Sequence, residues 1–326
     1  MPETPDMPDT SSFRTWWAGR PPAAGAAVMA TGIISVGLHL TGYETLSRIA
    51  LVLASLAWLG LAADFLVRLA DDREQWTRQA GTPPGLTAVA ATTVLGTRFS
   101  LLGWQVLAEA LLALSAVLWP ILLVAVVRHW RRRMAGGVFL VCVATQGLSV
   151  LASTIATAVG PDWLAHAAMV LFWLGIVCYG VCFAHFDLWE VKKGAGDHWV
   201  AGGALAISAL AGAKLVAAHH VNPYLWNNDD QGVLRATTAA LLVLDLACYG
   251  ALAVAEVVWP RPQFDVRRWA TVFPMGMTAA AALSVATALD VFGLKGPGQV
   301  LLWIAVAVWL VVAAGAALAF RSAVRE

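Results

Sequence analysis

Ten apolar runs, each near the ~20 residues that a bilayer-crossing helix requires, divide this chain into hydrophobic stretches joined by short polar links. They fall at roughly 22–40, 46–70, 84–101, 104–127, 136–155, 163–189, 199–218, 234–259, 269–289 and 298–320. Inside hydrocarbon no water is present to pair with backbone N–H and C=O groups, so each run must satisfy them itself, as a helix. The pattern predicts an all-α integral membrane protein. The composition agrees, with 60% hydrophobic residues, 13% charged residues and a mean hydropathy of +0.72. A soluble globular domain is excluded on those grounds. The reading divides the chain into a cytoplasmic tail at 1–20, a ten-helix membrane domain at 21–321 and a short cytoplasmic tail at 322–326. The first of these lacks the basic n-region of a signal peptide.

Orientation follows from the basic residues. With both termini in the cytoplasm, sixteen of the twenty-one Lys and Arg side chains fall on that side, and only Arg48, Arg98, Lys214, Arg235 and Lys295 fall outside. Cytoplasmic links carry such an excess, so the count predicts an even number of spans in a cell membrane (inner or plasma), with N and C termini inside. The net charge of +1 gives no bulk field for nucleic acid.

The runs alternate in character. Odd ones carry Gly, Ser and Thr: Gly32 and Ser35 in the first, Thr92 and Gly96 in the third, Thr145 and Ser149 in the fifth, Ser208 in the seventh, Ser284 in the ninth. Even ones, such as ALLALSAVLWPILLVAVV, are rich in Leu, Val, Ala and Trp. Small residues let helix backbones approach closely, and hydroxyls are tolerated where they meet another helix or water. The alternation predicts five helical hairpins in a quasi-five-fold arrangement, odd helices inside around a central pore and even helices outside. At steps of three and four, the small and hydroxyl residues form stripes, and these are the expected pore lining. Close packing between helices would produce the same stripes.

The ninth run begins RRWATVFPMGM. Steps of three and four from Phe273 give Met277, Ala280, Ser284 and Thr287, a small face with one bulky ring at its cytoplasmic end. Pro274 lacks the N–H that would close the preceding turn and favours a kink there. The face reads as a pore wall with a plug.

No carboxylate lies on the inner stripes. Asp64 has Arg68 four residues on and reads as an ion pair, and Glu109 lies one turn inside the fourth run. Asp245, mid-helix, is the candidate for proton coupling, since an intramembrane acid is expensive and a functional candidate by default, with packing or an oligomer contact as the other reading. Arg98 and Lys214, at outer ends of odd helices, are candidates for raising anion concentration in a vestibule, with interfacial snorkelling as the other reading. His219 and His220 are expected in an outer loop, solvated. Gln146 faces either the pore or a neighbouring helix. The four cysteines lie in apolar runs, where packing is their usual role. Metalloprotease, nucleophile-elbow, P-loop and dinucleotide signatures do not occur. The reading is therefore no enzyme, no cofactor and no metal.

Several of these segments carry a resemblance. Trp269-Ala270-Thr271-Val272-Phe273-Pro274-Met275 resembles the W-A-x-x-F-P-M pattern on the ninth helix of plant guard-cell slow anion channels. Met29-Ala30-Thr31-Gly32-Ile33 resembles the M-x-T-G-I element of their first helix. Leu95-Gly96-Thr97-Arg98 and the Ala144-Thr145-Gln146 core of Val141–Val150 look like stretches of the third and fifth. By these motifs the chain resembles the tellurite-resistance/dicarboxylate transporter family, which spans bacterial tellurite-resistance proteins, fungal malate and sulfite transporters and the slow anion channels. The resemblance implies a ten-helix, five-fold fold, usually a homotrimer, with Phe273 as the occluding ring and small anions as the partners moved. It implies an anion channel or channel-like transporter for inorganic anions or C4-dicarboxylates. The alternative is a proton-coupled carrier for malate-type dicarboxylates or sulfite, associated with tellurite resistance. The long regulatory tails of the plant channels have no counterpart here.

Overall fold

The computed structural model describes residues 25–71, 80–260 and 265–325. The tail expected at 1–20 lies outside them, as do Arg14, Arg20, Arg73, Arg78 and Arg261, on which part of the orientation count rests. The described residues form ten long helices: α1 Gly25–Leu40, α2 Glu44–Asp71, α3 Thr87–Leu101, α4 Gln105–Val127, α5 Leu140–Val159, α6 Asp162–His185, α7 Val200–Val221, α8 Asn228–Val258, α9 Trp269–Ala288 and α10 Lys295–Arg325. Eight are long and apolar enough to cross a membrane, and α1 is a shorter apolar helix. The last helix runs on through most of the stretch expected to be a tail.

Burial separates the helices as their composition does. Over their most apolar eighteen residues, the segments containing α5, α7 and α9 are 100%, 89% and 94% buried, whereas α2, α4, α6, α8 and α10 range from 11% to 22%. Each odd helix packs on the even helix that follows it, giving five hairpins. Each odd helix also packs on the next odd one, α1 on α3, α3 on α5, α5 on α7 and α7 on α9, and α9 returns to α1 to close the ring.

Two local devices build this arrangement. At one end, α1–α2, α3–α4 and α5–α6 turn through Gly42, Gly103 and Gly160, each with φ between +85° and +88°, a left-handed conformation that only glycine adopts freely. At the other end, α3, α5, α7 and α9 each start with a 3₁₀ turn. Between inner helices, small residues set the spacing. A Cβ at Gly32 would lie 2.8 Å from Val94 Cγ1, and one at Gly203 would lie 2.9 Å from Pro274 Cγ, so α1–α3 and α7–α9 meet at a distance that any larger side chain would disturb. In a bilayer such contacts replace the hydrophobic effect as the source of helix association.

Candidate functional site

The ring encloses a narrow axial gap. Its wall takes residues from all five inner helices: Ile33 and Val36 of α1, Thr93, Val94 and Thr97 of α3, Gly147 and Val150 of α5, Ile207 and Leu210 of α7, and Met277 of α9. Its volume is about 10 Å³, the space of one water molecule at most. The lining is neutral, mostly branched aliphatic, with two threonines.

Toward the end where the odd helices finish lies a cavity of about 520 Å³. On α7, Leu210 of the gap and Ala213 of the cavity stand three residues apart, less than one turn. The polar wall of this mouth consists of Thr41, Thr157, Lys214, His220, Ser284, Thr287, Lys295 and Gln299, with no carboxylate among its lining residues. Lys214, half-buried, makes no ion pair among the described residues. The Ser284 hydroxyl is buried without a hydrogen-bond partner. Cations without counter-ions among the described residues, with the one free hydroxyl of Ser284, make this a place where an anion exchanges water for protein at low cost.

The start of α9 lies at the opposite end. Phe273 stands one turn from Met277 on the same face of α9, with its ring 1% exposed. Beyond it, the segment leading into α7 tucks under the start of α9. The Thr271 hydroxyl donates to the Gly196 carbonyl at 3.3 Å, and Gly136 lies so close to the Asp197 backbone that a Cβ would collide with it. Trp199 and His198 are buried here. Two carboxyls at this end are displaced in opposite directions. Hydrogen bonds from Arg267 hold Asp265 below the usual carboxylate range, while burial, with Asp197 and Asp187 nearby, pushes Glu190 up.

Most residues expected to line the pore face elsewhere, with a consistent offset. Met277 lines the gap and Ser284 the wider cavity. Gly32, Ser35, Thr92, Gly96 and Ser149 each precede by one residue a position that lines the gap, which is a rotation of about 100°. Gly32 seats Val94, and Gly96 seats Leu151. Ser35 bonds Ser47 of α2, Ser149 donates to the Ala168 carbonyl of α6, and Ser208 lies against Cys142 at the α5–α7 contact. Thr92 and Thr145 accept hydrogen bonds from the Trp58 and Trp119 indoles of α2 and α4, at 2.9 and 3.0 Å. Thr31 accepts one from Trp309 of α10 at 2.9 Å. The stripes therefore mark helix contacts, and the axis is lined by their neighbours. The missed signal is the tryptophan: each of these three is the fifteenth residue of its even helix, and a buried indole N–H requires an acceptor on the helix beside it.

The charged candidates also divide. Lys214 lines the mouth. Arg98 does not; its fully buried guanidinium donates to Glu44 Oε1 at 2.8 Å and Ser47 Oγ at 2.9 Å, between α3 and α2. Asp64 pairs with Arg68 at 2.8 Å as expected, and Gln146 turns to the Phe172 carbonyl of α6. The two histidines are in the last turn of α7 instead of a loop, with His219 stacked on Trp226 at 5.5 Å and His220 on the mouth wall. Pro274 sits inside α9, and Asp245 is fully buried on α8, where the Thr278 hydroxyl donates to its Oδ1 at 3.1 Å. Among the described residues no cluster suited to a metal ion occurs.

A family model described as voltage-dependent anion channel (SLAC1) matches residues 20–317 of the chain. A search of curated proteins finds no match.

Proposed function

The chain belongs to the voltage-dependent anion channel family, whose members are channels and transporters, and from that premise we propose that it is an anion channel whose path is the axis of the inner ring. All ten helices cross the membrane in this reading, with both termini cytoplasmic and the mouth facing outward. The odd helices make the pore, and the even helices present their exposed apolar faces to lipid or, in a homotrimer, to a neighbouring copy. The observation that carries it is the juxtaposition of a neutral gap touched by all five inner helices with a cationic, carboxylate-free mouth less than one turn away along α7.

An anion entering the mouth would meet Lys214 and Lys295, then lose most of its water to pass a wall of Val, Ile, Thr and Met. A neutral lining binds weakly enough to release what it admits. The Phe273 ring, one turn beyond Met277, occludes the path, and the Pro274 kink beneath it supplies the compliance for it to move. Small inorganic anions and short dicarboxylates are the substrates this reading assigns.

The test is anion flux in proteoliposomes for wild type and Phe273→Ala, with chloride, nitrate, malate and sulfite in turn. Truncating the ring is expected to raise flux by at least about tenfold, the equivalent of about 1.4 kcal/mol of barrier, without saturation. Saturable, proton-driven flux in wild type and no gain in the variant would move the assignment to a proton-coupled carrier.

A further inference from the structure

Three contacts join an outer helix to the next inner one by the same means. Trp58, Trp119 and Trp309 donate to Thr92, Thr145 and Thr31. In each case the threonine hydroxyl spends its own proton on the carbonyl one turn back, at Ala88, Val141 and Ala27. Between α8 and α9 the corresponding contact is reversed. Thr278 is the donor, and the acceptor is the Asp245 carboxyl, whose Oδ2 is buried without a hydrogen-bond partner. An apolar cluster of Trp199, Leu252, Met275 and Ala305 packs near it, against Cys248 and Tyr249.

A carboxylate has no physical support in this place. Among the described residues, the ionisable groups that interact with it are Cys248 and Tyr249 on α8 itself and Tyr179 on α6, thiol and phenols with no positive charge to offer. From α9 the facing group is the Thr278 hydroxyl, and α7 presents Gly202, which has no side chain. An isolated carboxylate in such surroundings is expensive, and water or a counter-ion must reach it before it can form. A protonated carboxyl fits as the other three clasps do, as a neutral polar pair at a helix contact.

We propose that Asp245 is a proton-binding site that controls the position of α9: protonated, it holds α8 and α9 together with Phe273 in the path; ionised, it draws water into the contact and loosens α9. The site lies on α8, away from the axial gap, so its proton regulates the path without travelling along it. Flux would therefore rise with pH. The proposal rests on the conduit reading for its flux consequence, although the proton site itself does not.

Two measurements on the full chain test it. Chloride flux in proteoliposomes, recorded from acidic to alkaline pH, is expected to rise by about tenfold in wild type, within the usual range of a coupling between two sites. In Asp245→Asn, which keeps the acceptor and cannot ionise, flux should stay at its acidic level throughout. A variant profile matching the wild type, or wild-type flux that falls with pH, overturns the proposal. Infrared spectra of the purified protein should show a protonated-carboxyl C=O band that Asp245→Asn lacks and that fades on alkaline titration. Its absence in wild type overturns the proposal even if the variant misfolds. Should Phe273→Ala conduct no anion, the conduit reading fails separately, and the infrared measurement decides on the proton site alone.

Discussion

Arg98 on α3 and Lys214 on α7 hold similar places toward the C-terminal ends of two inner helices, yet their surroundings are opposite. Arg98 is fully buried and bound to Glu44, which also holds His39 at 2.7 Å and Arg48 at 3.0 Å. This sector, shared by α1, α2 and α3, is sealed by a network in which one carboxylate answers three bases. In the sector of α7, α9 and α10, Lys214, Lys295 and His220 line an open cavity whose wall has no carboxylate at all. A cation at a helix end thus does not define a mouth. What does is the absence of its counter-ion.

The largest expected effect breaks the sealed side. Glu44→Ala removes the partner of a buried guanidinium, a change that typically costs 3–5 kcal/mol. We expect about 3 kcal/mol here, because Glu44 is partly exposed, read as a large fall in thermal stability in detergent. Anion selectivity should not change. Altered selectivity in a stable Glu44→Ala protein would place Arg98 in the path and erase the contrast.

Lys214→Glu addresses the open side and should do the reverse. Stability should hold, while chloride flux falls by about tenfold, close to 1.4 kcal/mol, and the loss should shrink at high salt as screening sets in. Unchanged flux at low salt would mean that the mouth does not work through this charge.

The smallest effect sharpens the boundary between wall and path. Trp119→Phe removes one neutral hydrogen bond to Thr145, worth about 1 kcal/mol, and should lower stability by that amount with flux preserved. A change in ion preference without loss of stability would put Thr145 on the axis after all.

The two rings were legible from composition, because small residues and hydroxyls collect where helices touch. The same physics misdirected the reading of the path. Thr92, Thr145, Ser149 and Ser35 are conspicuous in an apolar run, and they are conspicuous because an indole of the preceding hairpin, or a carbonyl or another serine across their own, needs them. The residues that line the gap, such as Val36, Val150 and Ile207, look like any other membrane residue in sequence. On α9 the steps of three and four lead to Met277 on the gap and Ser284 on the cavity wall, while Thr271 and Thr278 turn outward to Gly196 and Asp245. Arg98 was misplaced because its partner lies 54 residues away, beyond the reach of any local pattern.

The return of α9 to α1 has a consequence for how the protein is made. Trp309 bonds Thr31 across 278 residues, so the seam of the ring joins the first hairpin to the last. If the hairpins enter the bilayer in chain order, α1 lacks its neighbours on that flank until α9 and α10 arrive. The ring closes only when the fifth hairpin enters the bilayer. Until then the nascent chain has no enclosed axis, and on the conduit reading proposed above a partly synthesised chain would hold no finished path.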